Sequence, residues 1–250
     1  ARDLLESGID VAAIIDTRED SKTDLNVPFY NGAEVSNTSG RHGLKSIVVK
    51  KSNTETTIEV DCLAVSGGWN PTVHLTCHMN ARPVWDEKIL SFVPKIGAIP
   101  NMAVIGAANG LMDTHMCFAS AEKEVSLILR ASGKTTKSKK LPKVEITKYE
   151  IAPKWSVEGK GRAWLDYQND VTVKDIRQAV RENFKSVEHM KRYTTQGIAI
   201  DQGKNSNVAS LAILADATGQ GIPETGTTTF RPPFVPVSIA SMGKNAQGIG

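Results

Sequence analysis

Apolar residues recur along this chain in two different rhythms, and the change of rhythm divides it. In the first half they come in short continuous runs. Leu4 and Leu5, followed by Gly8, predict the end of an amphipathic helix. Val11 to Ile15 is an unbroken apolar run, as expected of a parallel strand buried on both faces, and Asp16 ends it. Further short strands are predicted at Ala33 to Val35, Leu44 to Lys51 and Thr57 to Val60, with Gly40 and Gly43 flanking the turn into the second. Another buried strand is expected from Asp61 to Val65, running into Ser66-Gly67-Gly68-Trp69-Asn70-Pro71. After a connection containing Trp85, the run Ala103-Val104-Ile105 leads into Gly106-Ala107-Ala108-Asn109-Gly110. A helix is then predicted from Thr114 to about Arg130, with Met116, Ala119, Val125 and Leu129 apolar.

Beyond Ser132 the strand rhythm dissolves. Lys134, Lys137, Lys139, Lys140 and Lys143 crowd into a stretch that Pro142 and Pro153 interrupt around Val144 to Tyr149. Such a run binds phosphate or an acidic surface, or serves as a solvated connection tolerant of insertion. After a short extended segment at Trp164 to Tyr167, a period near 3.6 takes over. Thr172 is an N-cap with Asp175 three residues on, and Val173, Ile176, Ala179, Val180 and Phe184 share a face. Ser186 caps a second helix through Val187, Met190 and Tyr193, closed by Gly197. Asn207 opens a third, with Val208, Leu211, Leu214 and Ala215 apolar and Gly219 past its end. The expected class is α/β, with a partial Rossmann-like dinucleotide-binding module at 1–131 and a basic linker at 132–162. A small all-α domain at 163–229 and a proline-stiffened connector at 230–250 complete it.

Composition narrows the function classes. With 40% hydrophobic and 23% charged residues, the 250-residue chain has the balance of a soluble globular protein. A formal charge of +3, concentrated in the linker, is too small to imply nucleic acid. No apolar run reaches the roughly eighteen residues of a membrane span. Cys62, Cys77 and Cys117 are odd in number and widely separated, which predicts buried free thiols in a reducing, cytoplasmic setting rather than a disulfide framework or thiolate metal site. His74, His78 and His115 form no trusted ligand spacing, and His189, among Glu188, Lys191 and Arg192, reads as a surface or capping residue. Both ends look cut, so the chain is expected to be the middle of a longer polypeptide.

The segment from Trp164 to Pro233 carries the most specific order: Trp-Leu-Asp-Tyr-Gln-Asn-Asp-Val-Thr, then Lys-Arg-Tyr-Thr-Thr-Gln-Gly, Asp-Gln-Gly-Lys and Gly-Thr-Thr-Thr-Phe-Arg-Pro-Pro. With Ser66-Gly67-Gly68-Trp69-Asn70-Pro71 and Gly106-Ala107-Ala108-Asn109-Gly110, it resembles the alpha subunits of heterotetrameric sarcosine oxidases. Flavoprotein reductases place an acid for the flavin ribityl chain where Ala107 stands. The resemblance implies NAD there instead, along Gly106, Ala107, Met112 and Thr114, with the N–H groups of the following helix facing the anionic cofactor. Asp16 is open to two roles, a ribose ligand or a solvated strand-end carboxylate. In cluster-binding relatives, cysteines occupy the places of Asp166, Gln168 and Asp201, so no iron–sulfur cluster is expected. Asp166 and Asp201 read as solvated or helix-capping carboxylates, since they are too few to make a calcium site.

Two hydroxyls, glycine-freed amides and a lysine are the ingredients of a phosphate cradle, or of an N-cap-rich loop. The resemblance implies that Thr194, Thr195, Gln202 and Lys204 face the phosphate of FMN at the interface with the beta subunit, while Asn205 departs from the hydroxyl many relatives carry. It further implies FAD in the beta subunit, gamma and delta partners, and a downstream aminomethyltransferase-like domain for tetrahydrofolate. The expected activity is oxidative demethylation of sarcosine to glycine, with no catalytic residue in this stretch. The alternatives are an alpha subunit of a related amine or hydroxyproline dehydrogenase and a non-catalytic assembly scaffold.

Overall fold

Alternation and β-branching in Ser46–Lys51 and Thr54–Glu59 build the firmest sheet in a computed structural model that describes residues 1–135, 137, 140–232, 235 and 237–243. Lys139, Pro233 and residues 244–250, which belong to the expected linker and connector, lie outside the described residues. The chain opens with α1 (Arg2–Glu6), followed by β1 (Ile14–Asp16) and β2 (Phe29–Asn31), which pair in parallel. Then β3 (Glu34–Ser39), β4 (Ser46–Lys51) and β5 (Thr54–Glu59) form an antiparallel meander. Ile47 and Val49 point to one side of β4 and are buried with Ala33, against Ile15, Tyr30, Val35 and Ile58. That is the alternation expected of a sheet with one face covered.

Residues 61–71 depart from expectation. No strand forms there; Val65 is 82% exposed and Trp69 71% exposed. An apolar run becomes a strand only where a neighbour completes its hydrogen-bond ladder, and among the described residues none does. Cys62 is likewise exposed, while Cys77 and Cys117 are half-buried, so the expectation of three buried thiols fails at the first. The expected strand at Ala103 to Ile105 is also irregular, and a 3₁₀ turn, Gly106–Asn109, replaces a sharp strand-to-helix corner. Gly110 closes that turn in the left-handed region (φ 84°), where a side chain would also strike Ile89 and Val93.

Next come α2 (His74–His78) and a hairpin of β6 (Val84–Asp86) and β7 (Ser91–Val93) around the Trp85 connection. After the 3₁₀ turn, α3 (Thr114–Ala131) follows nearly as predicted. The second half of the expected linker is not free. Thr147 bonds Asp113, the Tyr149 hydroxyl accepts the Trp69 N–H at 3.1 Å, Arg18 donates to the Glu150 carbonyl at 3.2 Å, and Lys154 pairs with Glu34. Basic composition alone does not reveal such pins, because each rests on one residue rather than on a repeating pattern.

The helical unit matches its pattern closely. A small hairpin, β8 (Trp164–Asp166) with β9 (Val171–Thr172), leads into α4 (Val173–Arg181), whose capping box is made by Thr172 and Asp175 as predicted. Then follow α5 (Val187–Thr194), capped by Ser186, α6 (Asn207–Thr218), closed by Gly219, and the short α7 (Ile222–Thr225) and α8 (Ile239–Met242). α5 ends at Thr195 in the left-handed region, two residues before the expected Gly197. α6 is apolar all round, as a central helix must be, and Leu211 to Ala215 are buried. Ile176, Ala179, Val187, Met190, Leu211 and Leu214 form the core.

Phe92 of β7 belongs to that same core, with Trp85 against it edge-on at 5.1 Å. The hairpin therefore plugs the strand-rich half into the helical unit. Ile176 is fully buried, and Ile176→Val should cost about 1 kcal/mol. Amide-exchange protection across α4 and α6 is the measurement; unchanged protection would place Ile176 outside the cooperative core.

Candidate functional site

Two turns that need glycine meet across one cleft. From the first half come Gly67 to His74 together with Phe92; from the helical unit come Gly203, Lys204, Asn205, Asn207 and Val208, and the connector adds Thr227 and Phe230. The cleft holds about 490 Å³, within the size range of small-molecule sites. A second hollow of about 230 Å³, near Lys95 and Met102, is smaller.

His74 opens α2 and is 5% exposed, its ring 4.1 Å from that of Phe230 and tilted by 48°. Burial, reinforced by the positive charge of Lys204 and by the neighbouring His78, pushes its pKa down to about 4, so it is neutral near pH 7. The cleft thus offers an apolar and aromatic wall, a neutral imidazole and one lysine. Sequence reasoning set His74 aside because it looked for metal spacing. Its value lies in Phe230, 156 positions away, and no local pattern signals that contact.

The loop carrying Lys204 is tightly wound. Thr195, Gly197, Gln202 and Gly203 all adopt left-handed φ values between 52° and 72°. Asp201 accepts the Gly203 N–H at 3.2 Å, and its carbonyl accepts the Lys204 ammonium at 3.3 Å. Of the four residues expected at an FMN phosphate, Lys204 lines the cleft. Gln202 sits just before it, its carbonyl toward Asn207 at 3.5 Å. The Thr194 hydroxyl donates to the Met190 carbonyl at 2.8 Å and the Thr195 hydroxyl to the Thr194 carbonyl at 2.6 Å, so both are turned to backbone rather than to the cleft.

Asp166 is neither solvated nor a helix cap. It is 2% exposed, one oxygen accepting the N–H groups of Gln168 (2.9 Å) and Asn169 (3.2 Å), the other the Gly197 N–H at 2.8 Å. Asn169 adds a bond to the Thr195 carbonyl at 2.8 Å. The β8–β9 hairpin is thereby clasped to the loop that leads to Lys204. The clasp holds two backbone segments together at the position where the resemblance places a cluster ligand.

The residues expected along NAD lie at the corner before α3. Ala107 and Thr114 are exposed, Met112 is half-buried and Gly106 is buried, its N–H donating to the Ser120 hydroxyl at 3.0 Å. The start of α3 is already served by Asp113, missed in the sequence reading, whose carboxylate accepts Met116 N–H at 3.0 Å and Thr147 N–H at 2.7 Å. Those backbone donors, Thr147 first, hold its pKa below the usual carboxylate value. An Asp directly before a helix is an N-cap signal that would have found it. Asp16 is engaged by Arg18, guanidinium to carboxylate at 2.6 Å, and this bond holds its pKa low. Asp16 is therefore a paired strand-end acid in this structure. His189 is exposed, as its charged surroundings predict. Among the described residues no three His, Cys, Asp or Glu side chains converge on a common point, and no helix is long and apolar enough to cross a membrane.

Comparison with known proteins bears on this cleft and its loop. A family model described as the sarcosine oxidase A3 domain matches residues 160–246. The sarcosine oxidase subunit alpha of Rhizobium meliloti (strain 1021) is 38% identical over 252 aligned residues, 97% of this chain and 25% of that protein. The chain belongs to the sarcosine oxidase alpha-subunit family. Alpha subunits from Corynebacterium sp. strains P-1 and U-96 are each 36% identical over 199 residues, 76% of this chain and 20% of theirs. The chain thus spans a quarter or less of the length of these sarcosine oxidase relatives. The fold is shared with a crystal structure of L-proline dehydrogenase from P. horikoshii, at a TM-score of 0.65 and 14% identity, over 87% of this chain and 46% of that one. That likeness establishes the α/β class with its small helical unit.

Proposed function

We propose that this chain is the cofactor-holding part of the alpha subunit of a multi-subunit sarcosine oxidase, and that its cleft receives the phosphate end of FMN. The observation that carries the reading is Lys204, which lines a cleft that His74, Phe92 and Phe230 also line. A lysine supplies a point charge for a phosphate, and glycine-freed backbone lets the loop approach closely. The volume and this donor set fit a mononucleotide. When bound, FMN supplies one- and two-electron redox chemistry; the residues of this chain bind, orient and exclude water. Thr194 and Thr195 would join the phosphate only through a change of hydroxyl partner, so Lys204 is the principal contact, with Gln202 beside it.

NAD is assigned to the corner before α3, on Ala107, Met112 and Thr114, with Gly106 setting the turn. Asp113 already fills the helix terminus, so the corner holds NAD by its exposed edge rather than by the helix dipole. The whole complex would demethylate sarcosine oxidatively to glycine in the cytoplasm. FAD in the beta subunit would take the substrate electrons, and the one-carbon unit would pass to tetrahydrofolate in a domain outside this chain. Beta, gamma and delta subunits are the partners. The test is FMN content: Lys204→Ala in the assembled complex should weaken FMN binding at least about tenfold. Full retention of FMN by that variant would remove the assignment.

A further inference from the structure

The loop that carries Lys204 is shaped around a single side-chain amide. Asn207, the first residue of α6, is 5% exposed and points back beneath the loop. Its Oδ1 accepts from Gln196 Nε2 at 3.1 Å, and its Nδ2 donates to the Thr228 hydroxyl at 3.2 Å and toward the Gln202 carbonyl at 3.5 Å. Its backbone N–H donates to the Gly203 carbonyl at 2.8 Å. Both loop glycines exist for it sterically. A Cβ at Gly197 would stand 2.7 Å from Asn207 Oδ1, and one at Gly203 would overlap the amide still more closely. Gln196, itself fully buried, also bonds Ser206 at 2.9 Å. One amide therefore fixes the two glycine turns on either side of residues 198–202 and ties them to the connector.

The two structures it joins both line the same cleft. Gly203 and Lys204 form one; Thr227 and Phe230, flanking Thr228, belong to the other, and Phe230 packs on His74. The connector is held again where the Thr229 N–H donates to Glu188 at 2.9 Å. We infer that Asn207 is the positioning residue of the phosphate end of this cleft, setting Lys204 relative to the connector. This rests on the proposal that Lys204 meets the phosphate of FMN. Alanine at 207 keeps the helix but leaves Gln196, Thr228 and the Gln202 carbonyl without their shared partner, so Lys204 loses its fixed origin.

The experiment uses the flavin-depleted, assembled full-length complex, titrated separately with FMN and with riboflavin, which lacks the phosphate. Lys204→Ala and Asn207→Ala should each weaken FMN about tenfold and leave riboflavin unchanged, and the double variant should be no weaker than Lys204→Ala alone. Thr228→Val, which removes only the connector's bond, should give a smaller loss of about threefold, again for FMN only, and serves if Asn207→Ala does not assemble. Equal losses for FMN and riboflavin would make Asn207 a general structural residue and overturn the inference. So would unchanged FMN affinity in Asn207→Ala, or in Thr228→Val where Asn207→Ala does not assemble, while Lys204→Ala loses it. Unchanged FMN affinity in Lys204→Ala would overturn the phosphate assignment itself, and this inference with it.

Discussion

Asp166→Ala should destabilise the helical unit by about 3 kcal/mol, because it leaves the buried Gly197 N–H, and the part-buried N–H groups of Gln168 and Asn169, without their acceptor. The carboxylate is 2% exposed and its donors come from two separate segments, Gln168 and Asn169 on the hairpin and Gly197 on the loop. Asp166→Asn separates charge from geometry. Its carbonyl oxygen can still serve Gln168 and Asn169, but its amide turns an N–H toward the Gly197 N–H, so about half the loss is expected. Amide exchange at Gln168, Asn169 and Gly197 in the full-length protein reads the effect directly. Wild-type exchange at Gly197 in Asp166→Ala would show that the clasp does not hold the loop.

That clasp also marks where the sequence could be read and where it could not. The helices of the second half were visible because each stands on a repeating signal: Thr172 with Asp175, Ser186 before Val187, Gly219 after an apolar α6. The type of element was legible in β4 and β5 for the same reason. Residues 61–65 misled because burial on two faces and plain irregular chain share one apolar composition, and only ladder partners distinguish them. Within the site, Lys204 was legible through its glycine-rich context. Asn207 was seen only as a helix start, since its amide acts on Gly197, Gly203 and Thr228 through three-dimensional contacts. Asp166 was seen as a missing ligand, and its new partner, Gly197, lies 31 positions away. Local rules report helix caps well and report clasps hardly at all.

Acidification should loosen the cleft between pH 6.5 and 4, and His74 should account for it. The residue is buried beside Phe230 with Lys204 and His78 as its charged or chargeable neighbours, and its folded pKa is about 4 against an ordinary 6.5. Because the folded value is the lower one, the unfolded chain binds more protons throughout that interval. Stability contributed by neutral His74 is complete above pH 6.5, declines as the pH falls, and is gone below about pH 4. The gap corresponds to about 3 kcal/mol for a group this deeply placed. Other carboxylates add their own acid dependence, so the measurement is a difference: the slope of stability against pH in wild type minus that in His74→Gln. The wild-type slope should be steeper only in this window. Lys204→Ala, by removing one of the positive charges facing the ring, should raise the His74 pKa and narrow the window from its acid end. FMN bound at Lys204 would act in the same direction, since its phosphate brings negative charge toward the imidazole, and the acid-dependent loss of stability should therefore be smaller in the loaded protein than in the empty one. Parallel slopes in wild type and His74→Gln would mean that His74 titrates in the folded protein as it does in the unfolded chain, and the acid window assigned to it would have to be abandoned.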